Sequence, residues 1–288
     1  MALLGLILFN IINGIAVLVL ISIGLAVIYG MMRIINLAHG EFLMLGAYAT
    51  VLSTNAGVNL WVSILIVSPI VVGLFGLLVE RCIIRFLYGR LIDTMLATWG
   101  LSLFMIGGIT TLFGTTVEGV SAPLGAFNIG PYHASLYSVF SIAVAAAMLG
   151  GVWGVLRFTK FGLIVRATMQ NPPMAAALGV APNRIYMLTF ALGAALTGLA
   201  GGVLAPVAGV APGMGAAYIA KAFITVIGGG AAIVTGSGLA SALFGTIDQI
   251  VTFQTTPVIG QVALLIAAII MIRILPQGIT GRFFRRSL

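Results

Sequence analysis

From Ala2 to Met32 the sequence runs without one charged side chain, and several later stretches are nearly as apolar. A helix of about 20 apolar residues crosses the hydrocarbon core of a bilayer, so this run alone is long enough to span it. It lacks a basic leading region and a clear small-residue cleavage site, and is read as a retained span rather than a removable signal. Charged residues make up only 6% of the chain, against about 25% in ordinary soluble domains. A water-soluble globule is thereby excluded. The excess of thirteen Lys and Arg over five Asp and Glu matters through its placement rather than as a polyanion-binding surface, so nucleic acid is not an expected partner.

Breaks at charged or turn-rich stretches leave about nine candidate segments: Leu3–Gly30, Glu41–Ser53, Trp61–Glu80, Asp93–Phe113, Leu136–Leu156, Ile185–Pro206, Ala216–Val234, Gly236–Phe253 and Val258–Ile274. The runs are continuously apolar, not alternating with a period of two, which favours helices over a barrel. The expected fold is all-α: a polytopic transmembrane helix bundle of eight to nine membrane segments forming a single domain over residues 1–288. Gly193, Thr197 and Gly201, four apart, give one helix a small-residue face for close packing in lipid. Three stretches hold most of the basic residues: Arg81, Arg85 and Arg90; Arg157, Lys160, Arg166 and Arg184; Arg273, Arg282, Arg285 and Arg286. These should be cytoplasmic. The stretch 114–135 has neither Lys nor Arg and should face the other side. Nine crossings then put the N-terminus outside and the C-terminus inside.

Two segments are anomalous. Glu41–Ser53 is too short to span comfortably, and Ala216–Val234 is flanked by Pro206, Pro212 and the run Gly228 to Gly230. Each follows a long helix, a pattern that fits inverted repeats whose discontinuous helices mark a substrate path near the midplane.

The polar residues inside these apolar surroundings are the candidates for function. Asn36, His39 and Glu41 form an island between two apolar stretches. An ionised residue at a helix centre costs roughly 2.5–3.5 kcal/mol on insertion scales, so the island either lines a path or caps the short helix and ties it to a neighbour. A metal site is not expected, because residues two apart do not share a helix face. In the loop 157–184, Asn171 suits an N-cap, Pro172 the first helical position and Gly179 a left-handed stop. That defines a two-turn helix through Met174, Ala175, Ala176 and Leu178, whose apolar face either docks a soluble partner or lies on lipid headgroups. Lys221 and Asp248 each sit five residues from the outer end of their segments, about 7.5 Å deep at 1.5 Å per residue. Equal depth predicts an ion pair, serving as structural glue or as part of the path. Asp93 reads as an N-cap, and Thr98 either bonds back to its own helix or faces a polar lumen.

Enzyme readings find little support. Lys160 and Lys221, the two lysines, are followed by Phe161 and Ala222, so there is no Gly-Lys-Ser/Thr phosphate loop and no ATP hydrolysis through that motif. The single cysteine, Cys82, excludes an intrachain disulfide and reads as a small core or boundary residue.

Asn36 to Phe42 with Gly46-Ala47-Tyr48, together with Gly162, Arg166-Ala167 and Ala175 to Gly179, resemble the branched-chain amino acid type of ABC importer permease over nearly the full chain. Within that family, Asp93 to Ser102 and the stretches Phe244 to Gln249 and Pro276 to Arg282 are similar to the urea, or short-chain amide, permease subunit. Leu91-Ile92 departs from the Pro-containing turn expected there. The resemblance implies a non-catalytic inner-membrane subunit without a cofactor of its own. It also implies as partners a second homologous permease, two cytoplasmic ATPases that consume ATP, and a periplasmic or extracellular substrate-binding protein, all around the lipid bilayer. The helix from Asn171 to Gly179 becomes the coupling helix. The implied cargo is urea or a short-chain amide; the alternatives are a branched-chain amino acid importer of the same family and a stand-alone urea or amide channel. Neutral urea suits a path of hydrogen-bonding groups, and Asn36, Thr98, Gln249 and Thr252 fit it alongside His39 and Glu41. A zwitterionic amino acid would instead favour a helix N-terminus for its carboxylate and an acidic partner such as Glu41 for its amine.

Overall fold

The computed structural model describes residues 2–230 and 232–284. Apolar runs of this kind form helices because a helix pairs its backbone groups within itself, where no water can. The first, α1 (Ala2–Met32), is followed by an irregular link and α2 (His39–Asn55). One helical span, Leu60–Cys82, comprises α3 (Leu60–Val62), a π-helical turn (Ser63–Val67) and α4 (Ser68–Cys82). Pro69 lacks the N–H that the preceding turn would use, and the helix widens at that point. After a 3-10 turn (Ile84–Leu87) come α5 (Leu91–Phe113), an antiparallel hairpin of β1 (Ala126–Ile129) and β2 (Tyr132–Ser135), and α6 (Leu136–Phe158). The chain continues through α7 (Lys160–Gln170), α8 (Pro172–Ala177), α9 (Pro182–Ala208), α10 (Met214–Gly229), α11 (Ile233–Gln254), α12 (Pro257–Ile274) and α13 (Gly278–Phe284).

Each of the nine expected segments overlaps a helix, and the fold is an all-α polytopic membrane bundle. Among the described residues, six helical stretches are long and apolar enough to cross a membrane: α1, Leu60–Cys82, α5, α6, α9 and Pro257–Gly281. Taken as one broken span bent by 117°, α10 and α11 make a seventh. The helix α2 has 17 residues, the short segment anticipated. The order long, short, long, long occurs twice, as 31, 17, 23 and 23 residues from α1 to α5 and as 27, 16, 22 and 18 from α9 to α12.

The chain divides into two compact units, and α1, α6 and α10 each have residues in both. In the unit made of residues 24–121 and 151–220, α9 packs against α2 and α4. Small residues permit the approach. A side-chain carbon at Gly46 would overlap the backbone of Gly198, and one at Gly201 would overlap the Leu43 carbonyl. The Ser68 hydroxyl is shared between the carbonyls of Gly46 at 3.0 Å and Gly198 at 2.5 Å, pinning three elements at one point. Beside it, Phe42 meets Phe75 and Phe190 edge-on at 5.5 and 6.0 Å. In the unit made of residues 1–23, 122–150 and 221–288, α11 packs on α12 and α13. Phe9 of α1 meets Phe127 of β1 edge-on at 5.5 Å. Thr280 serves two helix ends with one hydroxyl, donating to the Gly229 carbonyl at 2.5 Å and accepting the Ala232 amide at 3.2 Å, so groups that lack a helical partner there are satisfied.

Several local expectations need correction. The segment expected over Ala216–Val234 stops at Gly229, since Gly230 has φ +81, and Ile233 and Val234 open the next helix. Asp93 is not an N-cap: α5 begins two residues earlier, and Asp93 pairs with Arg90 at 3.8 Å on an exposed helix face. Cys82 is exposed. The loop 157–184 contains α7 as well as α8, with Thr159 accepting the Gly162 amide at 3.0 Å as its N-cap. The stretch 114–135 holds the hairpin, and Glu118 exchanges two backbone hydrogen bonds of 2.8 Å with Val210. Arg285 and Arg286 lie outside the described residues.

Candidate functional site

The polar island lies at the joint between α1 and α2. Where α1 ends, Arg33 takes φ +52, a left-handed conformation that costs a non-glycine residue of order 1 kcal/mol, while its amide still bonds the Tyr29 carbonyl at 2.9 Å. The strain turns the chain into the link 34–38. Two side chains then hold that link. Asn36 Oδ1 accepts the Ala38 amide at 3.0 Å, and Thr98 Oγ1 on α5 accepts the Leu37 amide at 3.1 Å. Thr98 also donates to the Thr94 carbonyl at 2.8 Å. It thus bonds back to its own helix and also grips the joint, so the two alternatives read from sequence are not exclusive.

The first turn of α2 carries His39 and Glu41, both buried. His39 Nδ1 lies 3.4 Å from Thr197 Oγ1 on α9. The Thr197 hydroxyl also donates to the Gly193 carbonyl at 2.8 Å. The Ser102 side chain of α5 lies beside the Glu41 carboxylate. Glu41 Oε2 and the Nδ2 of buried Asn36 have no partner among the described residues. Between His39 and Glu41, Gly40 lies so close to the backbone of Gly215, at the start of α10, that a side-chain carbon on either would overlap the other. Two short helices therefore begin at one point, next to an unpaired donor and an unpaired acceptor. That chemistry suits polar recognition. Among the described residues there is no group of three potential metal ligands.

A second cluster belongs to the other unit. Lys221 Nζ on α10 lies 3.6 Å from Asp248 Oδ2 on α11, both largely buried. This is longer than a charge-assisted hydrogen bond of about 2.7–2.9 Å. Gly260 of α12 gives both Asp248 and Thr252 room, since a side-chain carbon there would lie 3.0 Å from Asp248 Oδ1 and closer still to Thr252 Oγ1. Gln249 lies along α1 at Gly14. The six residues proposed for a path thus fall into two groups, Asn36, His39, Glu41 and Thr98 in one unit and Gln249 and Thr252 in the other.

The short helix α8 is capped at both ends. Asn171 accepts the Met174 amide at 3.0 Å, and Pro172 follows as the first helical residue. At the other end Gly179, with φ +87, donates to the Ala176 carbonyl at 3.0 Å, and Val180 donates to that of Ala175 at 3.0 Å, a pairing that closes a helix C-terminus. Ala175 is buried, while Met174, Ala176 and Leu178 are exposed. Sequence reasoning named Thr197 only as a packing residue, gave Ser102 no role of its own and did not single out Gly215. Gly215 stands beside Gly213 in the stretch preceding an apolar run, and that is the one signal that pointed to it.

Residues 7–275 match the family model described as the branched-chain amino acid transport system permease component. The chain is 28% identical to the probable branched-chain amino acid transport permease protein LivH of Methanocaldococcus jannaschii, over 92% of this chain and 88% of that protein. It is 27% identical to the high-affinity branched-chain amino acid transport system permease protein LivH of Salmonella typhimurium, over 91% of both. It is 29% identical to the corresponding protein BraD of Pseudomonas aeruginosa, over 95% of both. No solved structure matches the chain.

Proposed function

The chain belongs to the branched-chain amino acid ABC transporter permease family, and from that membership we propose that it is the membrane subunit through which an ATP-driven importer moves branched-chain amino acids. The observation that carries this reading is the end-to-end match: family and relatives cover more than nine-tenths of the chain. The urea or amide cargo inferred from Asp93 to Ser102 and from the C-terminal stretches finds no support in these relatives, whose names concern amino acids. The joint fits an amino acid as well, because Glu41 supplies an acceptor for an ammonium group and Asn36 a donor for a carboxylate.

In this reading the chain is non-catalytic and sits in the inner membrane, N-terminus outside and C-terminus in the cytoplasm. A second permease pairs with it, two ATPases supply the energy, and an external binding protein delivers the substrate. Asn36, His39, Glu41 and Thr98, with Gln249 and Thr252, line or shape the path. The exposed Met174, Ala176 and Leu178 of α8 take the push of the ATPases, while Asn171, Pro172, Ala175 and Gly179 hold that helix in shape. Lys221 and Asp248 act as internal glue.

Uptake of labelled leucine by cells carrying the complete importer tests the cargo. Competition by unlabelled valine and isoleucine, with none from urea or acetamide, is the expected result. Competition by urea alone would return the reading to the amide subgroup.

A further inference from the structure

Arg81 lies in the last turn of α4, Arg85 in the 3-10 turn that follows, and Arg184 in the first turn of α9. With Glu80, Met187 and Leu188 they line one recess of about 410 Å³. Tyr88 holds its walls together. Its hydroxyl donates to the Glu80 carboxylate, and its ring packs against Tyr186 of α9 with centroids 5.0 Å apart. Burial, reinforced by Glu80, raises the Tyr88 phenol well above its ordinary range, so it remains a donor wherever the protein is folded.

The recess is short of negative charge. Arg81, Arg85 and Arg184 form no ion pair among the described residues, and Glu80 is buried and engaged by Tyr88. Three guanidiniums against one carboxylate leave two positive charges facing one space, an arrangement that attracts an anion. The start of α9 adds to this. Its N-cap, Ala181, has no side-chain acceptor for the helix amides, and Pro182 opens the helix, so the positive end of a long helix is left uncovered.

The surroundings say what kind of anion. Met187 and Leu188 make one side of the recess apolar. On α4 the exposed Ile70, Leu74 and Leu78, four apart, run along one face down to Arg81, and residues at that spacing share a helix face. In a membrane protein such a face meets acyl chains. An acidic protein segment would match the arginines and leave the apolar face unused. We propose that the recess between the end of α4 and the start of α9 binds the phosphate headgroup of an anionic phospholipid, its acyl chains lying along Ile70, Leu74 and Leu78. The guanidinium fork suits two oxygens of one phosphate, and the two uncompensated charges suit a lipid with two phosphates better than one.

Native mass spectrometry of the full chain, delipidated in detergent and offered cardiolipin, phosphatidylglycerol or phosphatidylethanolamine, tests this. Cardiolipin should be retained most and phosphatidylethanolamine least. Each Arg→Gln change should lower retention about five-fold, and R85Q/R184Q roughly 25-fold. R273Q, which removes an exposed arginine of α12 outside the recess, should leave retention unchanged. If the double variant does not fold, R81Q alone carries the five-fold test. Tyr88→Phe should lower the preference for cardiolipin over phosphatidylethanolamine, an effect that mere loss of stability would not produce. Equal retention of all three lipids, or an equal loss in R273Q, overturns the proposal. Displacement by inorganic phosphate at the lipid's own concentration would make the ligand free phosphate instead. Lipid binding intact in R85Q/R184Q would overturn the proposal as well.

Discussion

Replacing Thr98 by Val isolates the bond that holds the joint. Valine keeps the shape of threonine, so the packing of α5 is nearly unchanged, but the acceptor for the Leu37 amide, at 3.1 Å, is gone. An N–H left buried without a partner costs about 1–3 kcal/mol, and Leu37 is only half-buried, so the lower part of that range, about 1–2 kcal/mol, applies. Loss of the hydroxyl's donation to the Thr94 carbonyl adds little, since that oxygen keeps its helical amide. Thr98→Ser makes the opposite cut: it retains the hydroxyl and removes one methyl group, worth about 0.8 kcal/mol on burial. Valine, the better mimic of shape, should therefore be the worse substitution. Hydrogen exchange at Leu37 should quicken about 5- to 30-fold in Thr98→Val and little in Thr98→Ser, and leucine uptake should fall in the same order. Wild-type exchange in Thr98→Val, or a serine variant that is worse than the valine variant, would refute the account of the joint.

Leu178→Asp alters a side chain that is 78% exposed, so unfolding should shift by no more than about 0.5 kcal/mol while uptake is lost; an active variant would remove α8 from the coupling role. Lys221→Met or Asp248→Leu leaves one partner of a largely buried pair alone, which costs about 3–5 kcal/mol; K221M/D248L should regain much of that in a double-mutant cycle by denaturant unfolding, and additive losses would deny the pairing. Gly198→Ala places a carbon 2.6 Å from the Val72 side chain and 2.8 Å from the Ser68 carbonyl, an overpacking worth about 1–3 kcal/mol. Gly238→Ala, which meets nothing within 4 Å, is the control and should be neutral or slightly stabilising when unfolding is measured.

Much of the fold was legible because lipid imposes a strong rule: an apolar run long enough to cross must be a helix, and charges mark its ends. That located all nine segments and the short α2. The caps of α8 were legible for a local reason, since Asn171, Pro172 and Gly179 each suit one backbone position. Lys221 and Asp248 were linked by depth alone, and they lie 3.6 Å apart. What could not be read depends on contacts distant in sequence. The hydroxyl of Thr98 reaches the amide of Leu37 across 61 residues, and nothing in either residue names the other. Ser102 meets Glu41, and Thr197 meets His39, through packing of separate helices. The hairpin Ala126–Ser135 was missed because two strands of four residues carry too short an alternation to register. Asp93 suggested an N-cap by its type, but Leu91 and Ile92 are helical too, so the helix starts before it. Strain at Arg33 has no signature in a residue that ordinarily marks a membrane boundary.

The central claim is that this permease moves branched-chain amino acids only when driven by partner ATPases. It is tested most directly by reconstituting the complete complex in proteoliposomes with the binding protein and measuring labelled leucine entry with and without ATP. The account predicts entry that requires ATP and the binding protein and that ceases in Leu178→Asp. Entry of leucine at the same rate without ATP would contradict it.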